Sequence, residues 1–415
     1  MPLRAFALAA LLLFLAGGAR AQHAAWTPGQ PGASLSVSLV TVGPGQIYWE
    51  RFGHNAILIE DRDAGTSTIY NYGIFDFEQE GFLLNFLRGY MTYRIAAWPA
   101  AEDLPQYLRE GRSIVAQNLN MSPPQRVALQ RFLDENLKPE NAQYRYDYFV
   151  NNCSTKVRDA LDGALGGAIR RTLEGRSRGY TYRMQAQRLT APDLWLFLGI
   201  HLGLGPSNDR PLGFNEELFV PMELERHVRE VKIRDDAGTE QPLVAAEQVL
   251  AEARFPGPDE VPPNWRWRFL AVGLALAVLL LGLARARHVT AARVAFALLA
   301  TLIALELGLG GLLLAALWAF TEHRSAWANE NLLLYNPLWL ALVPAFVASA
   351  RSTWRAKAWH ATLAATLATV AAVALFLKVF PWFTQDNVDW IAAILPVAVA
   401  IAFTLQRMGP AQYRR

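Results

Sequence analysis

Apolar residues are distributed unevenly along the chain, and their distribution divides it into three parts. Residues 1–21 hold an early arginine, an apolar run and a small-residue ending at Ala19 and Ala21, a pattern typical of a secretory signal peptide. Residues 22–262 mix apolar and polar positions as a soluble domain does, whereas residues 263–415 are almost continuously apolar. The pattern therefore predicts a signal peptide, an exported domain and a membrane domain.

Five apolar runs in the last part are long enough to cross a bilayer, which takes about 20 helical residues. They are residues 267–284, 294–320, 333–350, 358–379 and 389–406. The run 294–320 is too short for two spans, so we expect one long, tilted helix there. The run 333–350 contains Pro337 and Pro344, which leaves a re-entrant segment open as an alternative.

Basic residues around these runs predict the orientation of the membrane domain. With the soluble domain outside, five spans place nine lysines and arginines in inner loops and four in outer loops, as the positive-inside rule requires. The nine are Arg285, Arg287, Arg293, Arg351, Arg355, Lys357, Arg407, Arg414 and Arg415, and the four are Arg266, Arg268, Arg324 and Lys378. We therefore expect a cytoplasmic C-terminus. The formal charge of +3 reflects this topology, and we expect no nucleic-acid partner.

Alternating apolar positions and turn signals predict an α+β fold for the exported domain. Strands are predicted at 34–42, 55–60, 66–72, 92–97 and 113–119, and a hairpin at 228–234 and 240–243. Ser122 and Gln125 form a capping-box pattern that opens a helix ending near Asn136. Further helices are predicted at 102–110, after residue 153 and from about Thr190, and 205–221 is predicted to be a long loop.

Cys153 is the only cysteine, so it forms no internal disulfide. It follows Asn151 and Asn152 and precedes a helical pattern, which places it in the first helical turn. Free backbone amides there, together with Lys156, favour the thiolate over the thiol. The two asparagines are candidates to cap the helix or to donate to an oxyanion. The alternative is that Cys153 is a small buried hydrophobe, as free cysteines often are.

His54 begins a predicted strand and is the candidate general base for Cys153. A catalytic histidine needs a partner that orients its other ring nitrogen. Asn71 and Asp76 lie on or just after the next strand, and Asn71 is preferred because its strand forms a hairpin with that of His54. The alternative is a hydrogen-bonded core histidine.

These residues fall in segments that carry a family resemblance. The segments are WERFGHN at 49–55, YNYGIFDF at 70–77, NNCSTKVRD at 151–159 and NENLLL at 329–334. Together they resemble an uncharacterised bacterial family known by its Lnb N-terminal periplasmic domain, which often carries a polytopic membrane tail. The chain order also resembles that of the circularly permuted papain-like group, which includes lecithin retinol acyltransferase and relatives of NlpC-type peptidases. In this order a strand with a histidine comes first, a strand with its polar partner follows, and a helix that opens with Asn-Cys comes last.

The resemblance implies an α+β permuted papain-like periplasmic domain, followed by an all-α transmembrane bundle of about five helices in the bacterial inner membrane. It also implies an enzymatic role for Cys153 and His54. The membrane part adds Glu306, an ionisable residue in the middle of a span, which is costly there and marks a functional or an interhelical role. His323, Asn329 and Asn331 lie in an outer loop and are candidates to present a substrate, although a plain solvated loop remains the alternative.

Two function hypotheses from different classes follow. The first is a membrane-tethered cysteine hydrolase or acyltransferase that acts on an envelope lipid, lipoprotein or peptide through a thioester on Cys153. The second is a non-catalytic envelope factor that uses the same module to bind or mature a partner. Histidine, aspartate and glutamate show no metal-ligand spacing, and no glycine-rich phosphate loop is present, so we expect neither a metal nor a cofactor.

Overall fold

A computed structural model of the protein describes residues 29–75, 81–235 and 238–409. The predicted signal peptide at 1–21 lies outside the described residues. The chain divides into two compact units. The first contains the residues up to Asp193 and those of Pro211–Glu260, and the second contains Leu194–Arg210 and the chain from Val261 onward.

The first unit is built around a seven-stranded sheet with the strand order β6-β4-β3-β2-β1-β5-β9, in which every neighbouring pair is antiparallel. Its strands are β1 (Leu35–Val42), β2 (His54–Asp61), β3 (Thr66–Ile74), β4 (Thr92–Pro99), β5 (Ile114–Leu119), β6 (Gln143–Arg145) and β9 (Val244–Ala251). A separate hairpin pairs β7 (Lys232–Arg234) with β8 (Glu240–Pro242). The predicted strands and both hairpins are therefore confirmed, except that the predicted strand 228–234 begins only at Lys232, because Val228 ends the helix Pro221–Val228.

Helices cover both faces of the sheet. Those of the first unit are α1 (Phe82–Arg88), α2 (Ala100–Glu110), α3 (Pro123–Leu137), α4 (Pro139–Ala142), α5 (Cys153–Ala164), α6 (Ala168–Leu173), α7 (Tyr182–Thr190), α9 (Phe214–Glu217) and α10 (Pro221–Val228). Leu39 of β1 belongs to the core cluster that α3 and α5 share, whereas its neighbour Val40 packs with Leu104 of α2. Successive strand residues point to opposite faces, so the sheet has one core on each side.

Two further predicted boundaries are wrong. Thr190 ends helix α7 instead of starting a helix, because the apolar run that suggested a start belongs to the following helix, α8 (Leu194–Gly203). The predicted loop 205–221 contains a 3-10 turn at Pro206–Asn208 and helix α9. By contrast, the capping box at Ser122 is confirmed, because its amide donates to Gln125 Oε1 at 2.8 Å.

The second unit contains five segments long and apolar enough to cross a membrane. They are α11 (Arg266–Arg285), α12 (Thr290–Phe320), the segment Glu330–Ala348 that ends in α13 (Val343–Ala348), α14 (Ala358–Leu377) and α15 (Val388–Arg407). All five predicted spans are therefore present, and 294–320 is one long helix. The third segment is not one regular α-helix, because Asn336 caps a 3-10 turn that begins at Pro337.

Candidate active site

His54 is the first residue of β2, and its ring is held from the neighbouring strand. Its Nε2 lies 2.8 Å from Oδ1 of Asn71 on β3. Strands β2 and β3 are paired with Ala56 opposite Asn71, which brings the two side chains to the same end of the sheet. The histidine–asparagine pair predicted from the hairpin is present in this geometry.

Asp103 determines which way the amide of Asn71 points. Asn71 is fully buried, and its Nδ2 donates to Oδ2 of Asp103 at 3.4 Å. A carboxylate only accepts hydrogen bonds, so the amide oxygen must face His54. Because an amide oxygen only accepts hydrogen bonds, the neutral imidazole of His54 carries its proton on Nε2. Its Nδ1 is then the nitrogen that can accept a proton. Sequence reasoning missed Asp103, whose only signal was an acidic residue in the first turn of a predicted helix.

Cys153 is the first residue of α5, as the sequence predicted. Asn152 caps this helix. Its side-chain oxygen accepts a hydrogen bond from the backbone N–H of Thr155 at 2.9 Å, and its backbone N–H donates to Thr155 Oγ1 at 2.8 Å. The Cys153 sulfur accepts backbone N–H hydrogen bonds from Asn55 and Ser154. Asn55 directly follows His54, so the sulfur lies against the backbone next to the candidate base.

The electrostatic prediction for the thiol is wrong. Burial raises the pKa of Cys153 above its usual value, and this outweighs the lowering by backbone N–H donors and by the charge of Arg112. Lys156 was expected to favour the thiolate through its positive charge. Its ammonium instead lies over the Tyr144 ring, 4.7 Å from the ring centre. Cys153 is partly buried, and a helix terminus alone does not produce a thiolate at this position.

His54 is also neutral at physiological pH. Burial lowers its pKa to about 4; the hydrogen bond with Asn71 raises the pKa and the charge of Arg112 lowers it, but both effects are smaller. The resting pair is a neutral thiol beside a neutral imidazole. An imidazole in this state can accept a proton, which is what a general base requires.

Arg112 is a second residue that sequence reasoning missed. It is buried, and its Nε donates to the carbonyl of Gly43 at 2.8 Å. Its guanidinium lies 5.3 Å from the centre of the Tyr107 ring, and Tyr107 in turn stacks on His54 with 6.2 Å between ring centroids. This stack fixes a positive charge close enough to shift the pKa of both His54 and Cys153.

Gly73 provides the space in which Cys153 approaches the sheet. It has a φ of +90° and lies where the register between β3 and β4 shifts, between Asn71 and Ile74. A Cβ atom on Gly73 would lie 3.4 Å from the Cβ of Cys153 and 3.9 Å from the hydroxyl of Tyr144. The bulge therefore requires a glycine for its backbone conformation, and a Cβ atom there would be in van der Waals contact with Cys153.

Two family models match the chain on either side of residue 200. The Lnb N-terminal periplasmic domain matches residues 22–188, and the Lnb transmembrane domain matches residues 267–408. The chain belongs to the Lnb family. No curated protein and no solved structure matches it.

Membership of the Lnb family places the sheet-containing domain in the periplasm and the five apolar segments in the inner membrane. His54, Asn71, Gly73 and Cys153 lie in segments that resemble the Lnb family, whereas Asp103, Tyr107 and Arg112 lie outside those segments. His54, Asn71, Gly73 and Cys153 all lie within the match to the periplasmic domain.

The other predicted polar residues of the Lnb periplasmic domain support the site from outside. The Asn151 side-chain amide donates to the backbone carbonyl of Arg145 at 2.6 Å. The Asn152 side-chain amide donates to the backbone carbonyls of Tyr148 and Phe219. Their side-chain donors therefore hold the loop before α5. Asp76 lies outside the described residues.

The candidate substrate-presenting residues belong to the second unit. Asn329 and Asn331 are buried, and both donate to the carbonyl of Leu202 at the end of α8, at 2.9 and 3.0 Å. His323 lies beside a 3-10 turn at Arg324–Ala326. Glu306 is hydrogen-bonded to the hydroxyl of Tyr335, a contact that fits the interhelical alternative. Within the described residues no group of three or more potential metal ligands occurs.

Proposed function

We propose that this member of the Lnb family is a membrane-anchored cysteine hydrolase or acyltransferase that acts on an ester or amide of the bacterial envelope. One observation carries the proposal: a cysteine at a helix N-terminus lies against the residue after a histidine whose tautomer Asn71 determines. The order of histidine strand, asparagine strand and cysteine helix fits a permuted papain-like site.

The proposed reaction begins with proton transfer from the Cys153 thiol to Nδ1 of His54 as the sulfur attacks the carbonyl carbon of the substrate. The tetrahedral intermediate collapses, the bond to the leaving alcohol or amine breaks, and the leaving group takes the proton from His54. A thioester on Cys153 remains. Water, or an acceptor hydroxyl or amine, then attacks this thioester, transfers a proton to His54 and releases the acyl product, and the thiol is regenerated.

The neutral resting pair fits this sequence of steps. Because the pKa of His54 is lowered and that of Cys153 is raised, the thiolate–imidazolium ion pair is not the resting form. Proton transfer from Cys153 to His54 is then coupled to attack on the carbonyl, so that a free thiolate does not accumulate. His54, Asn71 and Arg112 have distinct roles as base, orienting residue and electrostatic neighbour.

The raised pKa of the Cys153 thiol also favours a second candidate function, in which the module binds or matures an envelope partner without catalysis. A thiol that stays protonated and buried is chemically inert. The two functions differ in one measurable species, the acyl-enzyme thioester on Cys153.

The deciding experiment exposes membranes that contain the full-length protein to an alkyne-tagged acyl ester and measures hydroxylamine-sensitive label on the protein. Wild type should form a thioester, Cys153→Ala should form none, and His54→Ala should form it much more slowly. Asn141→Ala serves as the matched control, because Asn141 is an exposed asparagine on α4 whose amide donates to Glu135. If wild type forms no thioester, and Cys153→Ala retains the cellular function of the protein, catalysis is ruled out and the binding function stands.

A further inference from the structure

Helix α1 exposes nearly all of its apolar side chains. None of its residues is buried, and Leu83, Leu84 and Leu87 are 67%, 51% and 56% exposed. Phe86 within the helix and Tyr90 just after it add further exposed apolar area. A surface helix of a soluble domain normally packs its apolar stripe against a core, so this cluster, the α1 surface, is typical of an interaction site.

A row of aromatic rings connects the α1 surface with the candidate active site. Phe75 lies 6.3 Å from Phe82 of α1 and 5.3 Å from Tyr93, measured between ring centroids. Tyr93 contacts Tyr146 at 4.3 Å. Tyr146 in turn reaches the bulge at Gly73. A Cβ atom built on Gly73 would lie 4.0 Å from a ring carbon of Tyr146 and 3.4 Å from the Cβ of Cys153. The row of rings therefore extends from α1 to the bulge beside Cys153.

A second exposed segment lies next to the same row. Tyr48 and Trp49 are 58% and 48% exposed and contact each other edge to face. The phenol of Tyr48 is close enough to Tyr93 to contribute to the raised pKa of Tyr93, after burial as the main cause. Tryptophan and tyrosine side chains are enriched where proteins meet the interfacial region of a bilayer.

Two basic side chains lie at the edge of the α1 surface, and three acidic residues at 76–80 precede the helix in the sequence. Arg88 ends α1, and the guanidinium of Arg145 lies 4.7 Å from the centre of the Tyr90 ring. Basic side chains beside an apolar face bind the headgroups of anionic lipids. The chain also enters its first membrane-spanning helix at Arg266, shortly after the first unit ends at Glu260, so a short connection tethers this unit to the membrane domain.

We propose that the α1 surface inserts into the periplasmic leaflet of the inner membrane. The docked helix brings the aromatic row, and with it the approach to Cys153, into contact with lipid. The proposal concerns binding only, and its test uses no catalytic readout. It therefore stands or fails independently of the proposed hydrolase or acyltransferase activity.

The test uses the fact that Cys153 is the only cysteine. In a Cys153→Ser background, Leu83→Cys, Leu87→Cys and the control Val249→Cys are each labelled with a small fluorophore. Val249 is apolar, 51% exposed and located on β9. The full-length proteins are reconstituted into vesicles of phosphatidylethanolamine and phosphatidylglycerol, and quenching is measured with a nitroxide-labelled phosphatidylcholine and with aqueous iodide.

Labels at Leu83 and Leu87 should be quenched by the nitroxide lipid several-fold more than the label at Val249, with the opposite order for iodide. If iodide quenches all three labels equally, the α1 surface is in water and the proposal is wrong. If the α1 labels are shielded from both quenchers, protein covers the surface, which also overturns the proposal. Two positions on α1 are used so that a folding defect in one variant does not remove the test.

Discussion

The amide of Asn71 connects His54 to Asp103. Its oxygen lies 2.8 Å from Nε2 of His54, and its nitrogen lies 3.4 Å from Oδ2 of Asp103. Because the carboxylate fixes the amide orientation, and the amide fixes the imidazole tautomer, a residue that does not contact the histidine controls which of its nitrogens can accept a proton.

Asp103→Asn should slow acyl-enzyme formation on Cys153 by about tenfold, equivalent to about 1.4 kcal/mol, because an asparagine can donate as well as accept and no longer fixes the Asn71 amide. The two substitutions should be non-additive: the Asn71→Ala/Asp103→Asn double variant should form the acyl-enzyme at nearly the same rate as Asn71→Ala. Glu102→Gln is the control, since Glu102 is the exposed neighbour on the same helix. Equal rates for Asp103→Asn and Glu102→Gln would contradict a positioning role.

Gly73→Ala should both destabilise the first unit and block the thiol. The positive φ at Gly73 strains any other residue by about 1–3 kcal/mol, and the new methyl group would contact Cys153. Gly65→Ala is the matched control, because Gly65 also has a positive φ but nothing lies within 4 Å of its Cβ position. The thermal unfolding temperature should fall in both variants. The rate of Cys153 alkylation should fall in Gly73→Ala alone. If alkylation is unchanged in Gly73→Ala, the bulge does not control access to the thiol.

Alkylation of Cys153 should continue to accelerate through pH 9, since burial raises the pKa of the thiol above the ordinary value of 9.0. Arg112→Gln should move the profile to still higher pH, because the charge of Arg112 lowers this pKa. Arg109→Gln removes a charge from an exposed position on α2 and should leave the profile in place. A plateau near pH 7 in wild type would show that the thiolate is already the resting form.

Asn331→Ala should destabilise the second unit by about 1–3 kcal/mol, because it removes the acceptor of the buried Asn387 side-chain amide and one of the two side-chain donors to the Leu202 carbonyl. Thermal unfolding of the full-length protein in detergent measures this loss. Arg324→Ala is the control on the same loop, where the side chain is 71% exposed. An Asn331→Ala protein that keeps full stability but loses acyl transfer would support the substrate-presenting role instead.

Reporter fusions after residues 287 and 356 should be cytoplasmic, and a fusion after residue 328 should be periplasmic. The reason is the excess of basic residues in the predicted inner loops, which also predicts a cytoplasmic C-terminus. Alkaline phosphatase and green fluorescent protein fusions give opposite signals on the two sides and check each position twice. A periplasmic C-terminus would exclude the five-span topology.

The sequence by itself determined the parts of this protein that depend on local pattern. The five spans follow from apolar length, the hairpin of β2 and β3 from alternation and a turn, and the position of Cys153 at the start of α5 from a cap and helical spacing. Each of these features rests on neighbouring residues in the chain, whose preferences are readable without knowing the fold.

Only the tertiary structure decided the chemistry of the site. Asp103 and Arg112 act on His54 and Cys153 across long stretches of sequence, and no local pattern indicated either contact. The thiol pKa rises because the folded chain removes water from the sulfur, an energetic cost that a helix-terminus argument does not include. The pattern of a helix start was enough to locate the cysteine, whereas its protonation state depends on how much water the folded chain removes from the sulfur.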